Sequence, residues 1–458
     1  MTALPLSSLW RAFAAAGLTV ALAACTVGPD YVRPSAPTPS AFKEAGAHDA
    51  QAGAVALQAD KWWSIYGDST LDALVSQVKV SNQTLAASAA RVREAQALVT
   101  VAGGPAYPAI GVGSFKSGRR NENDFGLGVS WDLDLWGRIR RDVESHKAAA
   151  QASEADLAGA TLSMQARVVQ SYFALREDDA SIALLERAAE VGTRWHTMVQ
   201  NQYTQGQASS ANVADALVRA SSAQLQLADT KSARAQLEHA IAVMLGKTPA
   251  EFSIAPAPFA VNVPAVPTGV PATLLARRPD VVASERRMAA ANARIGVAKA
   301  ETLPSISLAA GVGVRRGPTG TVDAHAPLFA GGRLAAGVDN ANAGYSEAVA
   351  NYQQTVLDAY REVEDGLVVT SALAGAAPLH AEAAKAATES DRVMQNQYRE
   401  GVADYPAVVD AANAALNAVR GDLDLRRRRL DASVDLIVAL GGGWQPKAEP
   451  AKDATAAR

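Results

Sequence analysis

The residue best placed to carry chemistry is Cys25, the one cysteine in 458 residues. It follows Leu22-Ala-Ala at the end of the apolar run Ala12–Ala23, itself preceded by Arg11. That run is too short to span a bilayer and reads as a targeting segment, so residues 1–24 are expected to be a signal peptide. Small residues before a lone cysteine read as a bacterial lipoprotein processing site. An ordinary signal peptide with an incidental cysteine is the plainer alternative. The placement of Cys25, where cleavage would expose it, favours acylation with palmitate. Several acyl chains anchor a protein firmly, whereas one gives marginal binding. A single cysteine also excludes an internal disulfide.

Reaction chemistry finds no foothold. The six histidines form no His-Glu-x-x-His and no pair at metal-ligand spacing. There is no Gly-x-Ser-x-Gly, no phosphate-binding loop and no Gly-x-Gly-x-x-Gly. Ser76-x-x-Lys79 stands without its companion motifs and is a chance match. An enzyme, a cofactor and a metal are therefore not expected. A net charge of −3 gives no reason to expect nucleic acid.

Two further acids, Asp132 and Asp134, sit in a stretch of period two. From Phe125 to Leu135, one face carries Phe125, Leu127, Val129, Trp131, Leu133 and Leu135. The other carries Gly126, Gly128, Ser130, Asp132 and Asp134. Alternation over eleven residues matches the length of a transmembrane strand. Ile110, Val112 and Phe115 outline a partner strand, with the turn within Lys116–Asp124. Ile306, Leu308, Val312 and Val314 alternate in the same way further on, and Gly320–Leu328 returns more weakly. Two hairpins give four strands, and an open sheet edge in lipid leaves backbone groups unpaired. Either the strands do not span, or several chains complete one barrel. Three chains would make twelve strands under cyclic symmetry, and Asp132 and Asp134 would then face the barrel lumen.

Between these strands lie very long helices. Arg138–Gly246 holds no proline and is rich in Ala, Gln, Glu and Leu. Its one plausible break is Tyr203-Thr-Gln-Gly206. A helix from about Arg138 to Tyr203 would be about 100 Å long and must pack along other long helices. The pattern returns 195 residues later: Tyr398-x-x-Gly401 repeats Tyr203-x-x-Gly206, Gly331-Gly-Arg333 repeats Trp136-Gly-Arg138, and Leu440-Gly441 repeats Leu245-Gly246. The chain therefore reads as two copies of one unit. The first copy is placed at 61–255, with strands about 108–136 and a helical hairpin at 138–246. A linker follows at 256–270. The second copy is placed at 271–443, with strands about 304–329 and a hairpin at 333–441. Residues 25–60 read as an extended tether and 444–458 as a disordered tail. Trp62 and Trp63 are expected to dock on helices, and Asp68 or Ser69 to cap a helix beginning near Leu71. Pro378 predicts a kink or break in the second long helix. Arg426–Arg429 reads as a solvated face or a partner contact.

The motifs together resemble the outer-membrane factor family, the TolC/OprM-type channels of tripartite efflux pumps, most closely its lipoprotein NodT-like branch. The resemblance rests on Cys25-Thr-Val-Gly-Pro-Asp-Tyr-Val-Arg-Pro34, Trp62-Trp63 with Tyr66-Gly-Asp68, and Trp131-Asp-Leu-Asp-Leu-Trp-Gly-Arg138. It extends to Leu275-Ala-Arg-Arg-Pro-Asp280, Ala293–Ala300, Pro327-Leu-Phe-Ala-Gly-Gly-Arg333 and both Tyr-x-x-Gly turns. Thr26 after Cys25 resembles lipoproteins sorted to the outer membrane. The resemblance implies an α+β membrane protein, a homotrimer whose twelve-stranded outer-membrane β-barrel continues as a helical periplasmic tunnel. Its expected partners are a periplasmic adaptor and an inner-membrane pump of the RND type. Tyr203, Gly206, Ser209, Tyr398, Gly401 and Asp404 would lie at the periplasmic tips and touch the adaptor, with Asp410 a possible gate. Asn212 stands where some members carry a gating Asp, so that ionic lock is not carried over. The rival reading is a lipid-anchored periplasmic coiled-coil scaffold without a pore.

Overall fold

The computed structural model describes residues 26–35, 39–44, 61–117, 122–266, 277–314 and 318–445. Cys25 and the expected signal peptide lie outside them. Seven α-helices can be followed among the described residues: α1 Ser69–Ser81, α2 Gln83–Gly103, α3 Arg138–Thr204, α4 Ser210–Met244, α5 Pro279–Ala300, α6 Arg333–Arg399 and α7 Tyr405–Ala439. Four strands join them: β1 Ala109–Ser117, β2 Glu122–Leu133, β3 Ser305–Gly313 and β4 Pro318–His325. The described residues of Met1–Pro37, Ala87–Leu157 and Pro279–Leu357 form one compact unit. Those of Thr38–Ala86, Ala158–Arg278 and Asp358–Arg458 form a second.

The first unit holds the sheet. Its order is β1-β2-β3-β4, antiparallel throughout, so β1 and β4 are its two edges. Val112 lies opposite Leu127, Leu127 opposite Val312, and Trp131 opposite Leu308, which lies opposite Val322. Because directly opposed residues share a face, these apolar side chains form one continuous surface. The expected strand Phe125–Leu135 instead ends at Leu133, and β1 extends further into the expected turn.

The segment 26–35, expected to be a loose tether, is pinned along its length in the same unit. The Val27 N–H donates to the Trp136 carbonyl at 3.0 Å, and Asn292 Nδ2 donates to the Pro29 carbonyl at 2.9 Å. Asp30 pairs with the buried Arg141 at 2.8 Å. The Tyr31 hydroxyl donates to Glu285, and Arg33 Nη2 donates to the Tyr352 hydroxyl at 3.1 Å. Gly28 crosses against the backbone of Gly296, a closeness that leaves no room for a Cβ on either residue. Nearby, Ala148 packs with Ala289 and Ala290, small residues that let α3 and α5 approach closely.

The second unit has the larger aromatic core. Trp62 and Trp63 are 1% and 2% exposed and stand edge to face, as their hydrophobicity demands. The Trp62 Nε1–H donates to Gln165 at 3.2 Å. Asp68 is the α1 cap: one carboxylate oxygen accepts from the Thr70 and Leu71 amides, and the other accepts from the Tyr172 hydroxyl at 2.7 Å. The helix lengths match in pairs: α3 and α6 are 67 residues each, α4 and α7 are 35 each. Contrary to the expected break, α6 runs on through Pro378. Arg278, read as part of a helix start, is buried; it donates to the Ala439 carbonyl at 3.0 Å and pairs with Glu362 at 2.7 Å.

Candidate functional site

Two features fit a function, the sheet face and the helical turns. On the sheet, large apolar residues point away from the protein's own core. Ile110, Val112, Phe125, Leu127, Trp131, Val312 and Val322 are all exposed. The opposite face carries Gly111, Gly128, Gly311, Ser307 and the exposed Asp132. Asp132 lies opposite Ser307, which lies opposite Asp323. Asp134 corrects the sequence reading, because it lies past the strand end. Its carboxylate accepts from the Ile139 and Arg140 amides at 2.9 and 3.0 Å and pairs with the Arg140 side chain, so it caps the start of α3. Cys25 lies outside the described residues, but its neighbour Thr26 packs against Gly137, the last residue of the link from β2 to α3.

The turns are built alike. After α3 the Gly206 N–H donates to the Tyr203 carbonyl at 2.9 Å, and the Gln207 N–H reaches back to Gln202 at 2.8 Å. After α6 the Gly401 N–H donates to Tyr398 at 3.0 Å, and Val402 N–H to Gln397 at 2.8 Å. Gly206 and Gly401 have φ of +74° and +75°, the left-handed conformation that closes a helix this way. Ser209 and Asp404 then cap the returning helices, accepting from the amides of Asn212 at 3.2 Å and Ala407 at 3.1 Å. Pro406 falls in the first turn of α7, where its missing N–H costs nothing. Tyr203 is exposed.

The structure adds partners that the sequence did not single out. Trp195 on α3 stands edge-on to Tyr398, ring centres 4.9 Å apart, and 5.7 Å from Tyr405. It thereby ties the first hairpin to both limbs of the second. Gln202 adds a long contact to the Tyr398 hydroxyl at 3.4 Å. Arg219 pairs with Asp215 at 2.7 Å, and that hydrogen bond, helped by the charge of Asp410, raises its pKa. Burial and the Asp215 charge push the Tyr405 phenol up. Asp410 is thus placed in the field of Arg219, while remaining exposed. The only sequence signal for Trp195 was an aromatic two turns before Tyr203.

A sheet with a continuous exposed apolar face is the kind of surface that a membrane-inserted protein turns to lipid. The chain belongs to the outer membrane efflux protein family, whose sequence model matches residues 74–247 and 270–442. It is similar to the cation efflux system protein CusC of Escherichia coli O6:H1, with 27% identity across 93% of this chain and 98% of that protein. It is similar also to the pyoverdine export outer membrane protein OpmQ of Pseudomonas aeruginosa, with 29% identity across 84% of this chain and 88% of that one. Among solved structures, the outer-membrane channel OprN superposes with a TM-score of 0.82 at 27% identity, over 92% of this chain and 100% of that chain. The Campylobacter jejuni CmeC outer membrane channel shares the fold, with a TM-score of 0.82 at 21% identity, over 93% of this chain and 96% of that chain. The protein is an outer-membrane efflux channel.

Proposed function

We propose that three copies of this chain close a twelve-stranded barrel in the outer membrane, and that the paired long helices of the three copies line a periplasmic passage. The protein is a passive exit duct. An inner-membrane pump of the RND type supplies the energy, and a periplasmic adaptor meets the turns at Tyr203, Gly206 and Ser209 and at Tyr398, Gly401 and Asp404. Asp410, beside Arg219, belongs to the gate. Asp132 faces the barrel lumen. Acylation of Cys25 adds a second hold on the membrane, and the pinning of 26–35 fits an anchor without slack. The domain reading of two copies, 61–255 and 271–443, goes with this assembly. The cargo class is small solutes: relatives are named for cations and for pyoverdine. A lumen face of Gly, Ser, Ala and Asp offers few shaped apolar pockets, so selectivity is coarse.

One observation carries the reading: seven large apolar residues stand exposed on one face of a four-stranded sheet whose two edges are open. Water disfavours that face and lipid disfavours those edges, and closure between copies in a bilayer satisfies both. The test is the mass of the particle extracted from membranes, with bound detergent subtracted. A trimer soluble only in detergent is expected. A monomer or dimer that stays soluble in water once the lipid on Cys25 is removed would leave the anchored scaffold as the better account.

A further inference from the structure

Pro378 lies inside α6, which continues through it. Proline has no N–H, so the Ala374 carbonyl one turn earlier loses its helical hydrogen bond, and the ring crowds that carbonyl. Gly375 stands beside it, and a Cβ built on Gly375 would meet nothing within 4 Å. Across the hairpin, Gly421 of α7 packs against His380, two residues after Pro378; a Cβ there would lie 3.7 Å from His380 Nδ1. Both glycines are helical, so neither a close neighbour nor a left-handed backbone requires them. Three helix-weakening residues thus fall at one level of the second hairpin.

The first hairpin is built differently at that level. The positions 195 residues earlier are Ala180, Ala183 and Gln226, all good helix formers. Its nearby glycine, Gly192 of α3, is a packing residue: a Cβ on it would come within 3.3 Å of the Ala220 backbone on α4. Burial differs as well. Beyond Ala183, α3 buries Leu185, Ala189 and Val199. None of the described residues 371–399 of α6 is buried.

The second hairpin is also held unevenly. Toward the end of α7, Arg427 pairs with Glu177 at 2.6 Å, Gln170 donates to Asp435 at 2.7 Å, and the buried Arg278 donates to the Ala439 carbonyl at 3.0 Å. Toward the turn the ties are lighter: Arg420 donates to Gln226 at 3.1 Å, and Trp195 touches the rings of Tyr398 and Tyr405.

We propose that Gly375, Pro378 and Gly421 form a hinge in the second hairpin, about which residues 379–420 swing as one piece while 422–439 stay fixed on α3. The hinge rests on the reading of the paired helices as a passage and adds to it the place where one hairpin bends. A hinge is a few residues that absorb a backbone change, and a helix already lacking one internal hydrogen bond bends there more readily than elsewhere.

Hydrogen exchange tests this on the full chain extracted in detergent, read by mass spectrometry. Residues 375–382 should exchange at least about tenfold faster than 180–187 of the first hairpin. The triple variant Gly375→Ala, Pro378→Ala, Gly421→Ala restores the missing N–H, and its added methyl groups meet open space or ordinary contact. It should remove that difference, keep the particle mass of the wild type, and slow the clearance of a fluorescent dye from cells at least about tenfold. Equal protection of the two wild-type segments would overturn the hinge while leaving the channel reading standing. A stiffened variant that clears dye at the wild-type rate would overturn its role in export. A variant whose particle falls apart would assign these small residues to packing between copies instead. A wild-type particle that is monomeric would sink the channel reading itself, and with it the passage that the hinge serves.

Discussion

Gly401 holds φ of +75°, and a Cβ built on it would meet nothing within 4 Å. Space is therefore not what requires glycine there; backbone strain is. A left-handed residue with a Cβ costs roughly 1–2 kcal/mol, more when β-branched. That is small beside a total stability of about 5–15 kcal/mol, but it is concentrated in one turn, which relieves it by changing shape. Gly401→Val is expected to leave trimers in the membrane at wild-type level and to abolish export, measured as retention of a fluorescent dye that the wild-type strain clears. Clearance at the wild-type rate would remove this turn from the mechanism. At this scale the sequence told much. A Tyr-x-x-Gly between long helical runs needs a left-handed residue, and only local geometry decides that. Trp195 was not legible, because a ring contact between hairpins about two hundred residues apart leaves no local pattern. Asp134 misled for a related reason: its parity matched the strand, but strand ends are set by neighbouring ladders and caps.

At the scale of elements, the joint of α3 with α7 shows what composition hides. In the sequence, Arg426–Arg429 reads as a solvated face or a partner contact. Instead Arg426 donates to the Val261 carbonyl at 3.1 Å and lies over Phe259, while Arg427 pairs with Glu177 at 2.6 Å, Asp424 at 2.9 Å and Asp431 at 2.7 Å. Arg176, Glu177, Asp178 and Asp179 stand on α3, Arg234 and Glu238 on α4, and Arg420, Asp424, Arg426, Arg427, Arg428, Asp431 and Asp435 on α7. Glu362 and Asp365 on α6 line, with Asp431 and Asp435, a cavity of about 530 Å³. Burial pushes Asp431 up to about 6, only partly offset by Arg427, and one of its oxygens is buried without a partner. Burial, then the charges of Glu177 and Asp179, push Asp178 up to about 6. Both folded pKa values lie above the unfolded value near 3.9, so between about pH 4 and 6 the folded state binds the extra protons. Stability from these groups is thus fully present below about pH 4 and lost as pH rises through 6. Thermal unfolding in detergent is expected a few degrees higher at pH 5 than at pH 7.5, and Asp431→Asn should flatten that difference. A midpoint that falls between pH 7.5 and pH 5 would show that other carboxylates outweigh this joint. The long helices themselves were readable from the absence of proline and the wealth of good helix formers. The docking of 26–35 was not, because a Pro-rich segment reveals nothing of the grooves, such as the notch at Gly296, that receive it.

For the whole molecule, the question is whether one chain is a folded unit at all. The second unit buries Trp62, Tyr172, Phe173, Leu430 and Val434, whereas the sheet keeps much of its apolar face exposed and its two edges open. In the proposed trimer such a four-stranded sheet would gain its missing hydrogen bonds and burial from other copies and from lipid, so assembly should be linked to folding by mass action. If three chains unfold together, a hundredfold rise in protomer concentration stabilises each by about 2 kcal/mol, which for a chain of this size moves the midpoint by roughly two degrees. The measurement is the midpoint of reversible unfolding in a fixed detergent-to-protein ratio across that range. A rise of this order is expected. A midpoint independent of concentration would mean that each chain completes its fold alone, and the exposed face of the sheet would then need an occupant other than lipid and further copies of itself. This dependence was foreshadowed in the sequence by arithmetic, since two hairpins are too few strands to close.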